Sequence, residues 1–196
     1  MLALPAAPAP VRRRTLLVGT AYACAGLMAF FVGLIAIYLQ QRIDIGGGNT
    51  NTWLPKKVVV PEPLANTMLL TFALSSLTVQ WAVYSMRRHN RRDTAWAMGL
   101  LVVLGAAILN AQSFIWSQMK LPIMGDTVYN VLFYMVTGAF FLAVVVGLIL
   151  AVIGAFRALA GRVGGDATEA FSALALYWHV LFGVFCFVWY VMYVVK

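Results

Sequence analysis

The sequence predicts an all-α integral membrane protein built as a bundle of five transmembrane helices. Hydrophobic residues make up 63% of the 196 residues and charged residues only 10%, and the mean hydropathy is +0.88. Soluble domains contain about 45–50% apolar and about 25% charged residues. Long continuous apolar runs exclude the alternating pattern of a membrane β-barrel. Composition and run length therefore both indicate helices that cross a bilayer.

Five apolar segments reach the length of about 20 residues that a spanning helix needs, and none contains Asp, Glu, Lys or Arg. The predicted spans are residues 15–39, 64–85, 95–117, 128–156 and 171–195 of a membrane domain that covers 15–196. Residues 1–14, rich in Ala and Pro, are expected to form a flexible cytoplasmic tail. The first span is too long for a signal-peptide core, so we interpret it as a retained helix.

Basic residues predict the orientation of the bundle. One side receives Arg12, Arg13, Arg14, Arg87, Arg88, Arg91, Arg92, Arg157 and Arg162, and the other receives Arg42, Lys56, Lys57, Lys120 and Lys196. The richer side is expected in the cytoplasm together with the N-terminus, which places the C-terminus outside. Most of the net charge of +8 then belongs to a cytoplasmic rim that faces anionic lipid. A nucleic-acid partner is excluded, because the chain has no folded basic domain.

Between the first two spans, residues 46–48 are three glycines that predict a bend. They lack the Lys-Ser/Thr ending of a phosphate-binding loop. Trp53 is expected to be an interfacial anchor. Pro61 and Pro63 suit the start of the second helix, where Asn66 and Thr67 can bond within the first turn.

Small residues recur every four positions in the first and fourth spans, which allows helices to approach closely in lipid. The two stripes are Ala21, Ala25, Ala29 and Gly33, and then Ala139, Ala143, Gly147, Ala151 and Ala155. We favour packing within this bundle for both stripes. The alternative is that they dock against another membrane subunit.

His179 is the one side chain in the five spans that titrates near neutral pH, and an ionisable residue at membrane depth is a candidate functional residue. We favour a hydrogen-bonded structural role at an interhelical contact beside Tyr177 and Trp178. Contact with a lipid headgroup or a neighbouring subunit is the second interpretation, and proton transfer is the third. Cys186 lies seven residues away, about 10 Å along a helix, so the two side chains do not form a copper site.

Four short motifs occur in an order and spacing that resemble subunit III of the haem–copper oxidases. They are Leu27 to Leu34 followed by Tyr38, Pro61 to Leu70 followed by Leu74 to Thr78, Phe133-Tyr134 with Thr137-Gly138, and Tyr177-Trp178-His179. The second motif resembles the family's Pro…Asn-Thr…Ser-Ser-x-Thr helix, and the last resembles its Tyr-Trp-His. The resemblance covers residues 15–195 and corresponds to the five-helix form found in some bacterial oxidases.

The chain departs from that family at the positions where the family often carries ionisable residues. It has Gly26 and Ile115 where Glu is common, Phe140 and Ala143 where His is common, and Phe182 where Asp is common. These departures leave His179 as the ionisable family position in the spans. We therefore expect a scaffold and lipid-binding subunit with a reduced role in proton uptake.

The resemblance implies a non-catalytic accessory subunit of a respiratory terminal oxidase in the bacterial plasma membrane. Its partners would be catalytic subunit I, subunit II and phospholipid. Haem and copper would lie in those partner subunits, and this chain would contribute no catalytic, cofactor or metal ligand. The residues expected to contact lipid or another subunit are Asn66, Ser75, Ser76, Gln112, Tyr177, Trp178 and His179.

Two alternatives stay open from the sequence. The first is the related accessory subunit of a nitric oxide reductase, which differs in its catalytic partner. The second is a small transporter or channel, for which Asn110, Gln112 and Ser113 in the third span would line a polar route. The spans lack a clear inverted repeat, which disfavours a transporter.

Overall fold

The computed structural model describes residues 14–47, 50–55, 58–122, 127–161 and 166–195. Its helices are α1 (Thr15–Gly46), α2 (Thr50–Trp53), α3 (Glu62–Arg87), α4 (Arg91–Met119), α5 (Val128–Leu159) and α6 (Asp166–Trp189), which continues as a π-helix (Tyr190–Val195). Five of them, all except α2, are long and apolar enough to cross a membrane. The prediction of a five-helix membrane bundle is confirmed. Residues 1–13 of the predicted tail lie outside the described residues.

Each spanning helix extends beyond its predicted apolar run, because polar residues cap or form its ends. Asn90 caps α4: its Oδ1 accepts a hydrogen bond from the Asp93 backbone N–H at 3.2 Å, and its Nδ2 donates to Asp93 Oδ2 at 2.7 Å. In α3 the Thr67 hydroxyl donates to the Pro63 carbonyl at 2.9 Å, as the sequence predicted. Gly47 ends α1 in the left-handed region at φ 58°, where glycine carries no steric penalty.

Helix α6 lies at the centre of the bundle and α1 at its edge. The pairs α3–α4 and α4–α5 pack as neighbours along the chain, and α6 packs against α1, α3 and α5. The α6 span is the most buried of the five and the α1 span the least. Helix α1 therefore leaves most of its surface free to meet lipid or another protein.

Both ends of α1 are tied to the last helical segment by polar contacts. Glu169 Oε1 of α6 accepts from the Leu17 backbone N–H at 3.0 Å, so a carboxylate faces the positive end of the α1 dipole. At the other end, Arg42 Nη2 donates to the Val195 carbonyl at 3.0 Å. Because α1 buries little side-chain surface, these two hydrogen bonds help to hold it against α6 and the π-helix.

Replacing Glu169 with Ala is expected to lower the free energy of unfolding by about 1 kcal/mol, the usual contribution of a helix N-cap. The loss should be local, so hydrogen exchange of the amides at 15–20 should accelerate more than that of α4. The matched control is Glu169→Gln, which keeps an acceptor oxygen and removes the charge. Equal exchange in the wild type and the Ala variant would contradict the capping role.

Trp53 does not lie where the sequence placed it. Instead of anchoring at an exposed interface, it is 4% exposed and packs edge-on against Tyr38 and Tyr129, with ring centroids 5.4 and 5.7 Å apart. Its indole N–H donates to the Tyr38 hydroxyl at 2.9 Å. The interfacial prediction was wrong, because α2 folds back over the end of the bundle and satisfies the indole internally.

Candidate functional site

The seven residues predicted to contact lipid or another subunit do not form one surface. Four of them are buried inside the bundle: Ser75, Ser76, Gln112 and Trp178. Tyr177 is partly buried, and Asn66 and His179 are exposed. The structure therefore divides the set into an internal group, which is unsuited to contact anything outside this chain, and an external group.

Trp178 is the centre of the internal group and has no exposed surface. Its indole N–H donates to the Ser75 hydroxyl at 2.8 Å, and that hydroxyl donates to the Phe72 carbonyl at 2.7 Å. The ring occupies the space left by two glycines. A Cβ at Gly147 would lie 3.0 Å from Trp178 Cζ3, and one at Gly105 would lie 3.1 Å from Cη2. Trp178 thus joins α6 to α3, α4 and α5.

Tyr177 and Asn66 make two further ties between helices. The Tyr177 hydroxyl donates to the Ala143 carbonyl of α5 at 2.8 Å. Asn66 Oδ1 of α3 accepts from the Trp189 indole of α6 at 2.9 Å. Both side chains therefore position α6, although Asn66 also keeps an exposed surface.

His179 faces out of the bundle, and its hydrogen bond is made within its own helix and not to another helix. Its Nδ1 lies 2.6 Å from the Ala175 carbonyl of the same helix, and its ring is exposed. Consecutive helical residues point about 100° apart, since a turn holds 3.6 residues. Burial of Trp178 therefore turns His179 away from the core.

His179 borders an apolar groove of about 760 Å³ between α1 and α6. Its walls are Met28, Val32, Ile35, Val180 and Phe187 among others. A second, smaller groove on the other side of His179 is lined by Gln80, Arg87 and Ser172. The outer face of α6 thus presents an apolar groove with polar groups at one end.

The two stripes of small residues, similar in sequence, have different environments. In α5, Ala143, Gly147 and Ala151 are buried, and Gly147 contacts the rings of Tyr177 and Trp178. In α1 all four members are exposed, and a Cβ at Gly33 would meet no atom within 4 Å. The expectation of internal packing is correct for α5 and wrong for α1.

The polar residues proposed as a transport route do not share a face. Gln112 is buried, whereas Asn110 and Ser113 are exposed, and the Ser113 hydroxyl bonds to the Leu109 carbonyl of its own helix. Within the described residues, no group of three or more His, Cys, Asp or Glu could hold a metal ion. The arrangement therefore supports contacts between helices and with neighbours more than chemistry on a solute.

Sequence reasoning missed the residues that join distant parts of the chain. Glu169 and Arg42 fix the ends of α1, while Tyr38 and Tyr129 enclose Trp53. Spacing alone gives no signal for these contacts, because they link residues far apart in sequence.

Comparison with known proteins gives one consistent result. The family described as cytochrome c oxidase subunit III matches residues 11–196. A probable cytochrome c oxidase subunit 3 of Rickettsia conorii is 27% identical over 193 residues, covering 93% of this chain and 68% of the relative. Cytochrome c oxidase subunit 3 of Heterololigo bleekeri is 30% identical over 155 residues, covering 77% of this chain and 57% of the relative. Because the family match spans nearly the whole sequence, this chain belongs to the cytochrome c oxidase subunit III family.

Proposed function

We propose that this multi-pass membrane protein is a non-catalytic accessory subunit of a haem–copper terminal oxidase and supports the assembly and stability of its partner subunits. The observation that carries the proposal is the family match over residues 11–196. In aerobic electron transport it would pack beside catalytic subunit I and subunit II, which would hold the haem and copper. Its own spans carry mostly apolar side chains, and hydrogen bonds join one helix to another. This arrangement suits a scaffold.

We infer that the N-terminus faces the cytoplasm in a bacterial plasma membrane. The end of the bundle where α3 finishes and α4 begins carries Arg87, Arg88, Arg91 and Arg92. Arg91 also donates to the Leu159 carbonyl at the end of α5. This end of the bundle is therefore basic, and a hydrogen bond joins α4 to α5 there. An excess of Arg on one side favours the cytoplasmic side.

The groove between α1 and α6 is our proposed phospholipid contact. It is apolar along Val32, Ile35 and Phe187, which suits an acyl chain held by van der Waals contact, because lipid tails in the bilayer are already out of water. His179 at its border would lie beside the lipid, in agreement with the second interpretation of this residue.

The exposed face of α1 is our proposed contact with the catalytic subunit. It presents Ala21, Ala25, Ala29 and Gly33 as exposed residues, and a Cβ at Gly33 would meet no atom within 4 Å. In lipid, close backbone approach over small residues is a main source of helix association. The low burial of α1 supports this helix over α3 and α6, whose spans are more buried.

A gentle solubilisation tests the function and the face together. The wild-type chain, captured by a tag, should carry haem absorbance, and the double variant Ala25→Leu/Ala29→Leu should lose most of it, because bulky residues separate the helices. The matched control is Ala106→Leu/Ala107→Leu on the exposed face of α4, which should retain the haem.

The outcomes separate the two parts of the proposal. A colourless wild-type preparation would contradict the accessory function itself. Loss of haem in the α4 pair with retention in the α1 pair would contradict only the choice of face. Reduction of nitric oxide rather than oxygen by the captured complex would favour the nitric oxide reductase alternative.

A further inference from the structure

Four buried polar side chains converge at the end of the bundle that α2 covers. They come from four different elements and are each no more than 2% exposed: Tyr38 of α1, Gln112 of α4, Tyr129 of α5 and Tyr193 of the π-helix. The ring centroids of Tyr38 and Tyr129 lie 6.4 Å apart. Tyr38 and Tyr193 both lie near the Tyr129 hydroxyl, and Gln112 lies beside the Tyr193 hydroxyl. We call these four residues the outer polar cluster.

Three atoms of this cluster lack a hydrogen-bond partner in the part of the chain that the structure describes. They are Gln112 Nε2, the Tyr129 hydroxyl and the Tyr193 hydroxyl. Tyr38, by contrast, accepts from the Trp53 indole at 2.9 Å. A buried donor without a partner destabilises the fold by its desolvation cost, and that cost is larger in apolar surroundings. Gln112 lies beside Tyr193, but none of the three atoms reaches a partner at direct hydrogen-bond distance among the described residues.

The backbone is irregular next to this cluster. Residues 190–195 form a π-helix, a wider turn that is rare and occurs often at functional sites. Tyr193 lies in this segment. Trp53 covers the cluster on the side of α2, because it is buried and packs edge-on against Tyr38 and Tyr129. The cluster is thus polar inside and sealed by aromatic rings outside.

We propose that the outer polar cluster is a binding site for ordered water, bridged by Tyr129, Tyr193 and Gln112 and closed by Trp53. Water fits because it donates and accepts hydrogen bonds, and a buried water typically makes about three such bonds to otherwise unsatisfied groups. A larger ligand would have to displace the Trp53 ring, and an ion would need a counter-charge that the four side chains do not carry.

The sign of the stability change in two conservative variants tests the proposal. In a hydrated site, Tyr129→Phe and Tyr193→Phe each remove a bond to water, so the Tm of the full-length chain in mild detergent should fall by about 2–4 °C each. In a dry site the same variants remove an unsatisfied hydroxyl, so the Tm should stay unchanged or rise. The matched control is Tyr134→Phe. The Tyr134 hydroxyl donates to the Leu121 carbonyl at 2.9 Å, so the Tm of this variant should fall whether the site is hydrated or dry.

Radiolytic hydroxyl-radical labelling provides a second measurement on the unaltered chain, because radicals formed from bound water oxidise the side chains that touch it. Tyr129 and Tyr193 should be labelled several-fold faster than Phe72 and Phe185, which are equally buried among aromatic rings. Labelling of both tyrosines at the slow rate of the two phenylalanines would overturn the proposal, as would unchanged or raised Tm in both tyrosine variants.

Discussion

Replacing Trp178 with Ala is expected to lower the free energy of unfolding by about 3–5 kcal/mol, the range found for large aromatic residues truncated in a core. The ring has no exposed surface and contacts Phe72 with a centroid distance of 5.8 Å. Truncation would leave a cavity where four helices meet and would leave the Ser75 hydroxyl without its donor.

Denaturant or thermal unfolding of the purified chain measures this effect. The matched control is Trp96→Ala, because Trp96 lies on α4 with 66% of its surface exposed and should change stability by about 0.5 kcal/mol or less. Ser75→Ala isolates the hydrogen bond and should cost about 1 kcal/mol. A Trp178 variant as stable as the Trp96 variant would show that this residue does not organise the bundle.

Introducing Leu at Gly147 is expected to destabilise the chain by about 3 kcal/mol through overpacking. Even a Cβ there would lie 3.0 Å from Trp178 and 3.1 Å from Tyr177. Neither ring can move freely, because Trp178 is bonded to Ser75 and Tyr177 to the Ala143 carbonyl. The added carbons would therefore force α5 and α6 apart.

The same substitution elsewhere in α5 serves as the control. A Cβ at Gly138 would meet no atom within 4 Å, so Gly138→Leu should stay within about 0.5 kcal/mol of the wild type. Thermal unfolding of both variants, together with the yield of folded chain, gives the comparison. Equal losses at the two glycines would contradict a specific contact between Gly147 and the two rings.

The sequence predicted the helices well because the bilayer leaves few alternatives. Backbone groups in lipid must bond internally, so a charge-free run of the required length becomes a helix. Predicted ends differ from observed ends because polar residues such as Asn90 and Glu62 belong to the helices or cap them. Motifs such as Tyr177-Trp178-His179 also indicated the family, which the match over residues 11–196 confirms.

The candidate site was predicted less well, and neighbouring residues show why. Trp178 and His179 are adjacent in one motif, yet the first is fully buried and the second faces outward. A sequence motif identifies residues that occur together, but it does not show which of their side chains point into the bundle and which point outward. Ser75 was expected to contact lipid or another subunit, whereas it is buried and accepts a hydrogen bond from the Trp178 indole inside the bundle.

By itself the sequence determined the number of spans, the family and the concentration of Arg at one end. Only the tertiary structure decided which face of each helix points inward: Gly147 of α5 meets Trp178, while the small residues of α1 stay exposed. The physical reason is that lipid tails are as apolar as a protein core. A membrane helix therefore needs no polar outer face, and its inward side is set by contacts with residues far away in the chain.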